Sequence, residues 1–109
     1  MISDEAVWSL EARQDGAATV LYARGELDLD TAPGLLAEVG RRLDSGTRRL
    51  VVDLAGLTFV DSTGLGAIVG CWRCAARATA TFELVNPSPH VVSTLKITGL
   101  DAILPVAQR

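Results

Sequence analysis

A run of strand-forming residues, Arg49-Leu50-Val51-Val52-Asp53-Leu54, precedes the apolar stretch Leu57-Thr58-Phe59-Val60 and a polar turn, Asp61-Ser62-Thr63-Gly64-Leu65-Gly66. Beyond the turn, Leu65, Ile68, Val69, Trp72 and Ala76 fall on one face of a helix. A buried-looking strand that turns into an amphipathic helix constrains this chain more than any other feature. Such a helix has to pack back over the sheet that holds its strand. The turn also places hydroxyl groups at a helix N-terminus, where unpaired backbone N–H groups and the positive end of the dipole favour an anion.

The same alternation of strand and helix extends along the chain. From Val7 to Arg13, Trp8, Leu10 and Ala12 face one way and Ser9, Glu11 and Arg13 the other. From Ala18 to Arg24, Thr19, Leu21 and Ala23 oppose Val20 and Tyr22. Gln14-Asp15-Gly16 between them carries an Asp-Gly pair suited to a tight turn, so the two strands are expected as an antiparallel hairpin. Asp30 or Thr31 caps a first helix, with Pro33 in its first turn and Ala32, Leu35, Leu36, Val39 and Leu43 on its inner face. Ser45-Gly46 ends it. A strand at Thr81 to Val85 follows the second helix. Asn86-Pro87-Ser88-Pro89 then starts a third, capped by Ser88, with Val91, Val92 and Leu95 inward and Gly99 at its end. Ile103-Leu104 forms a short last strand or a docked tail. The pattern predicts an α/β fold: one mixed β-sheet with helices packed against it, in a single domain spanning residues 1–109.

Composition bounds what such a domain does. With 49% hydrophobic and 21% charged residues, 109 residues suffice for one globular core. The net charge is −3, and the basic pairs Arg41-Arg42 and Arg48-Arg49 are too short to track a phosphate backbone, so nucleic acid is not an expected partner. The start, Met1-Ile2-Ser3-Asp4-Glu5, is acidic where a signal peptide needs positive charge. The apolar run around Ile68-Val69-Gly70-Cys71-Trp72 stops at Arg73, well short of a membrane span. A cytoplasmic protein without membrane insertion is expected. Cys71-Trp72-Arg73-Cys74 has the spacing of a redox pair but lies two to three turns into the helix, where thiolate stabilisation has faded. Two reduced, partly buried thiols are the expectation.

Three roles suit Ser62. It can cap the helix, as Asp61 and Thr63 equally can. It can be a nucleophile, since Val60-Asp61-Ser62-Thr63-Gly64 resembles a hydrolase elbow. However, Val60 stands where that turn needs glycine, and His90 is the only histidine. It can also accept a phosphoryl group. Asp28, Asp30, Asp53 and Asp61 suggest an acidic pocket like that of a phosphoaspartate receiver, but the acid pair after the first strand is missing and Lys96 lies on a helix. Structural hydrogen bonding suits Asp53 better.

Gly25-Glu26-Leu27-Asp28, Thr31-Ala32-Pro33, Leu50-Val51-Val52-Asp53-Leu54, Phe59 to Gly66, Leu84-Val85-Asn86-Pro87 and Thr98-Gly99-Leu100 occur in an order that resembles the STAS domain. More narrowly, they resemble the bacterial anti-anti-sigma factors, the anti-sigma factor antagonists. The resemblance covers nearly the whole chain. It implies a non-enzymatic partner switch without a cofactor or metal. Unphosphorylated protein would bind an anti-sigma factor that is a serine kinase of the GHKL type, releasing a sigma factor. Phosphorylation would turn it off and a serine phosphatase would reset it. By the resemblance the acceptor is Ser62, with Thr63 as a neighbouring hydroxyl. The partner face is Asp28, Asp30, Thr31, Asp61, Ser62, Thr63, Gly64 and Leu65. The alternative is a constitutive STAS adaptor subunit of a lipid-transport ABC assembly.

Overall fold

The computed structural model describes residues 8–108. Val7 and the Met1–Glu5 segment lie outside the described residues. The chain runs β1 (Ser9–Asp15), β2 (Ala18–Leu27), α1 (Ala32–Asp44), β3 (Arg49–Val60), α2 (Ser62–Arg77), β4 (Thr81–Val85), α3 (Pro89–Thr98), a 3-10 turn (Leu100–Ala102) and β5 (Val106–Ala107). The strands form one sheet in the order β1-β2-β3-β4-β5. The first pair is antiparallel and the other three are parallel. The hairpin closes at Asp15 opposite Ala18, with Gly16 at φ 61°.

Each parallel step needs a crossover, and the three helical segments supply them. Successive right-handed crossovers advancing one strand at a time all fall on the same side of the sheet. That is where the main core lies: Leu21, Leu27, Leu50, Val52, Leu54 and Leu84 of the sheet meet Leu35, Val39, Ile68, Cys71, Val91 and Leu95 of the helices. The opposite face carries only a small cluster, Ala18, Val20, Val51 and Val85, flanked by Tyr22 and Ala107. The C-terminal ends of β2, β3 and β4, and the helix starts that follow them, therefore gather along one edge of the layer.

Several expectations are corrected. Leu57 to Val60 is not a separate stretch but the second half of a 12-residue β3. It pairs with an extended β2 through Gly25↔Leu57, Glu26↔Phe59 and Leu27↔Val60, after register shifts that absorb extra residues. Gly56 reads as a break in the sequence. Its role is close approach, because a Cβ there would lie 3.2 Å from the Ala23 carbonyl oxygen and 2.9 Å from Arg24 Cγ. On α2 the buried stripe is Leu65, Ile68, Cys71 and Ala75, so Val69, Trp72 and Ala76 lie towards its flank and outside. Leu36 of α1 and Val92 of α3 are likewise not fully buried. Leu104 is the docked tail residue, and β5 forms two residues later.

Ser88 stands at the α3 N-cap position without a capping bond; its hydroxyl donates instead to the Leu57 carbonyl at 2.6 Å. That bond ties α3 to the half of β3 that outruns β4. Gly99 ends α3 at φ 77°, a conformation that favours glycine. Asp53 has the structural role expected of it, accepting from Ala55 N at 2.9 Å and Asn86 Nδ2 at 3.0 Å. Cys71 and Cys74 are free thiols, and burial, with Cys74 adding, pushes the Cys71 thiol up to about 12. A thiol so raised stays protonated and unreactive at neutral pH.

Candidate functional site

Two strand-to-helix turns lie side by side at the edge where β2 and β3 end. In the β3–α2 turn, Asp61 takes an extended conformation and its Oδ1 accepts from Gly64 N at 2.8 Å. Asp61 is thus the cap of α2, which settles one of the roles open to Ser62. Ser62 is the first residue of the helix and, with Thr63, is exposed. Neither hydroxyl bonds to any described residue. His90, the only candidate base, makes no hydrogen bond to Ser62; its exposed ring stacks on Phe59, with centroids 5.6 Å apart. The nucleophile reading thus finds no base in place, whereas a group added to Ser62 would meet solvent and the N-terminal field of a 16-residue helix.

Gly64 explains how the turn sits so close to its neighbour. A Cβ at this position would fall 2.4 Å from the Leu27 carbonyl oxygen and 2.8 Å from Val60 Cγ2. The same Leu27 carbonyl accepts from Asp61 N at 3.3 Å. Leu65 points into the core at 8% exposure. Gly64 and Leu65, both expected on a partner face, are buried here and support the turn from inside. Gly66, by contrast, is exposed and has open space where a Cβ would be.

The β2–α1 turn is held by its own side chains. Asp28 Oδ1 accepts from Asp30 N at 3.0 Å and from Thr31 N at 3.3 Å, an Asx turn. Thr31 occupies the N-cap position of α1 but makes no capping bond. Its hydroxyl donates to the Glu26 carbonyl at 2.7 Å and accepts from Asp28 N at 2.9 Å. The expected side-chain cap by Asp30 or Thr31 is therefore absent, and Thr31 locks the loop backwards onto β2. Asp30 is exposed.

Pattern reading missed two apolar members of this edge. Leu29, between two aspartates, is 71% exposed, and Phe59 is 40% exposed. Leu29 had a signal: it is an apolar residue with no place in either neighbouring periodicity. The segments 25–31 and 58–66 contain Glu26, Asp28, Asp30 and Asp61 but no Lys or Arg. The edge is an acidic surface with apolar points and one unengaged serine at a helix start.

The family model described as "Mlab, STAS domain" matches residues 10–105. The chain belongs to the STAS family, and within it to the anti-sigma factor antagonists. It is 31% identical over 84 residues to the anti-sigma factor antagonist BtrV of Bordetella bronchiseptica, covering 77% of this chain and 72% of that one. The anti-sigma-B factor antagonist of Staphylococcus aureus is 32% identical over 82 residues, 75% of this chain and 76% of the relative. Among solved structures, an anti-sigma factor antagonist from Mycobacterium paratuberculosis superposes with a TM-score of 0.84 at 25% identity, covering 97% of this chain and 90% of the other. No helix among the described residues is long and apolar enough to cross a membrane.

Proposed function

We propose that the chain is a phosphorylation-controlled antagonist of an anti-sigma factor. Unmodified, the edge formed by Asp28, Leu29, Asp30, Phe59, Ser62 and Thr63 docks on an anti-sigma factor that is itself a serine kinase, and the sigma factor is freed. Phosphorylation of Ser62 ends the interaction, and a serine phosphatase restores it. The observation that carries this reading is the Ser62 hydroxyl: it begins α2, is exposed, and is relieved of capping because Asp61 caps instead.

The physical consequence of modification follows from the surroundings. A phosphoryl group brings close to two negative charges to an edge that already holds four acids and no Lys or Arg. The helix N-terminus tolerates the anion, so the fold is kept. An interface built around a neutral hydroxyl would have to desolvate that charge unpaired, which costs several kcal/mol and suffices to abolish a micromolar complex. Cytoplasmic residence belongs to this reading.

Intact-mass spectrometry after incubation with source-cell lysate and ATP tests it, using wild type and Ser62→Ala. One phosphoryl group on wild type alone supports a switch at Ser62. Addition to both proteins moves the acceptor to Thr63. No addition under any growth condition leaves the constitutive adaptor as the better account.

A further inference from the structure

Strand β1 is the outer edge of the sheet. Its seven residues, Ser9–Asp15, pair with β2 in one unbroken register, and among the described residues nothing pairs with its other side. Edge strands are normally blunted by bulges, prolines, lysines or very short length. β1 has no bulge in its ladder and no proline or lysine in Ser-Leu-Glu-Ala-Arg-Gln-Asp. Its charges alternate in sign instead. Glu11 and Arg13 project from the sheet face opposite the helices, with side chains 62% and 66% exposed, and they touch at 3.2 Å. Arg13 also lies over the Tyr22 ring, 5.5 Å from its centroid.

We infer that β1 is a self-association edge whose occupant is the β1 of a second copy, antiparallel, with the two-fold axis through Ala12. In that register Ala12 faces Ala12, Glu11 faces Arg13 of the other copy, and Arg13 faces its Glu11. Leu10 then faces Gln14, and Ser9 faces Asp15. Opposite residues of an antiparallel pair share a face, so both cross-copy ion pairs form on the helix-free side. The competing registers are worse. Centring on Glu11 opposes two glutamates, while centring on Arg13 opposes two arginines and sets Glu11 against Asp15. Shifting by one residue, so that Ala12 faces Arg13, would bring outward side chains against core-facing ones. Centring on Gln14 also pairs Arg13 with Asp15 but overlaps only residues 13–15 of the strand, whereas centring on Ala12 overlaps all seven. Charge complementarity and overlap together therefore select one arrangement of two identical strands, an isologous contact that closes after two copies.

The result is a continuous ten-stranded sheet with both helix layers on one side. Since β1 runs against its copy, the two β2 strands also run opposite ways. The two Ser62 turns then sit at opposite ends of the dimer, both uncovered, so dimerisation displays the edge described above twice and blocks neither copy.

Sedimentation equilibrium of the full chain, from micromolar to millimolar, tests this. Wild type is expected to dimerise reversibly, less so in high salt. Glu11→Arg and Arg13→Glu should each weaken the dimer by about tenfold or more, because each puts like charges opposite one another. The combined Glu11→Arg/Arg13→Glu swap should restore it. Both side chains are largely exposed, so circular dichroism should read native for every variant. As an independent check, Ala12→Cys should crosslink to itself on oxidation, and Gln14→Cys should not. Wild type that stays monomeric at millimolar concentration, single variants that dimerise like wild type, or a folded double swap that stays monomeric would each overturn the inference.

Discussion

The β2–α1 and β3–α2 turns leave parallel neighbouring strands at the same edge, and they use their polar side chains in opposite ways. In the first, the Asp28 carboxylate and the Thr31 hydroxyl are consumed by bonds to backbone groups of residues 26–31. In the second, one carboxylate, Asp61, satisfies the helix start, and two hydroxyls are left without a partner among the described residues. A loop whose Asp28 and Thr31 side chains are both tied to its own backbone is a scaffold that holds Leu29 out at the surface. A turn whose capping is done by a neighbour leaves its serine hydroxyl exposed and uncommitted. The same residue types, Asp and Ser or Thr, thus lock one turn and leave an unengaged hydroxyl in the other.

The largest effect that this contrast predicts is at Ser62. Ser62→Glu should weaken binding to the anti-sigma partner at least a hundredfold, about 3 kcal/mol, as read by isothermal titration calorimetry. Its melting temperature should stay close to that of wild type, since an acid at a helix start is favourable. Binding that survives while stability collapses would reverse the contrast and make Ser62 the structural residue.

Next comes Gly64, where the two turns touch. Gly64→Ala forces a methyl group against the Leu27 carbonyl, which can move only by displacing the end of β2. Overpacking against backbone should cost about 2–3 kcal/mol in chemical denaturation. The loss should reach both turns, so the β2–α1 loop should also become more accessible to proteolysis. An unchanged denaturation midpoint would mean that the turns are not mechanically joined.

A smaller effect separates the capping roles. Asp61→Ala removes the bond to Gly64 N and should cost about 1 kcal/mol. Thr31→Val keeps its shape but orphans Asp28 N and Glu26 O, with a similar or somewhat larger cost. Ser62→Ala should cost less than about 0.5 kcal/mol. Urea denaturation of the three variants orders them, and a Ser62→Ala loss equal to that of Asp61→Ala would show the serine sharing the cap.

How much of this was legible beforehand depends on what each residue had to signal. The hairpin, the helix ends at Gly46 and Gly99 and the start of α2 were readable because period and turn chemistry are local properties. The identity of the α2 cap was not, since Asp61, Ser62 and Thr63 are all competent and only the backbone geometry chooses. The α2 stripe was read one step round because bulk draws attention to Val69 and Trp72. The positions that face the sheet, Cys71 and Ala75, are small because they lie against it. The outer half of β3 was hidden by Gly56, which looks like a stop and is a contact with β2. Leu29 and Phe59 were missed for the converse reason: an exposed apolar residue belongs to no buried stripe, and at Leu29 that misfit was itself the one signal.

A small effect of opposite sign distinguishes the two glycines of the β3–α2 turn. Gly64 has an internal reason, the Leu27 carbonyl, but Gly66 has none: nothing lies within 4 Å of a Cβ built there, and the residue is exposed inside a helix. Replacing it by Ala removes backbone freedom from the unfolded chain and should stabilise the domain by about 0.5–1 kcal/mol, a rise of a few degrees in melting temperature. Position 66 is one turn beyond Ser62 on the same helix face, so a partner that closes on Ser62 meets it at short range. Gly66→Ala should therefore raise stability while weakening the anti-sigma complex, two readouts of opposite sign from one methyl group. If stability rises and affinity is untouched, the docked edge ends short of the second helical turn and is confined to the residues around Ser62 and Leu29.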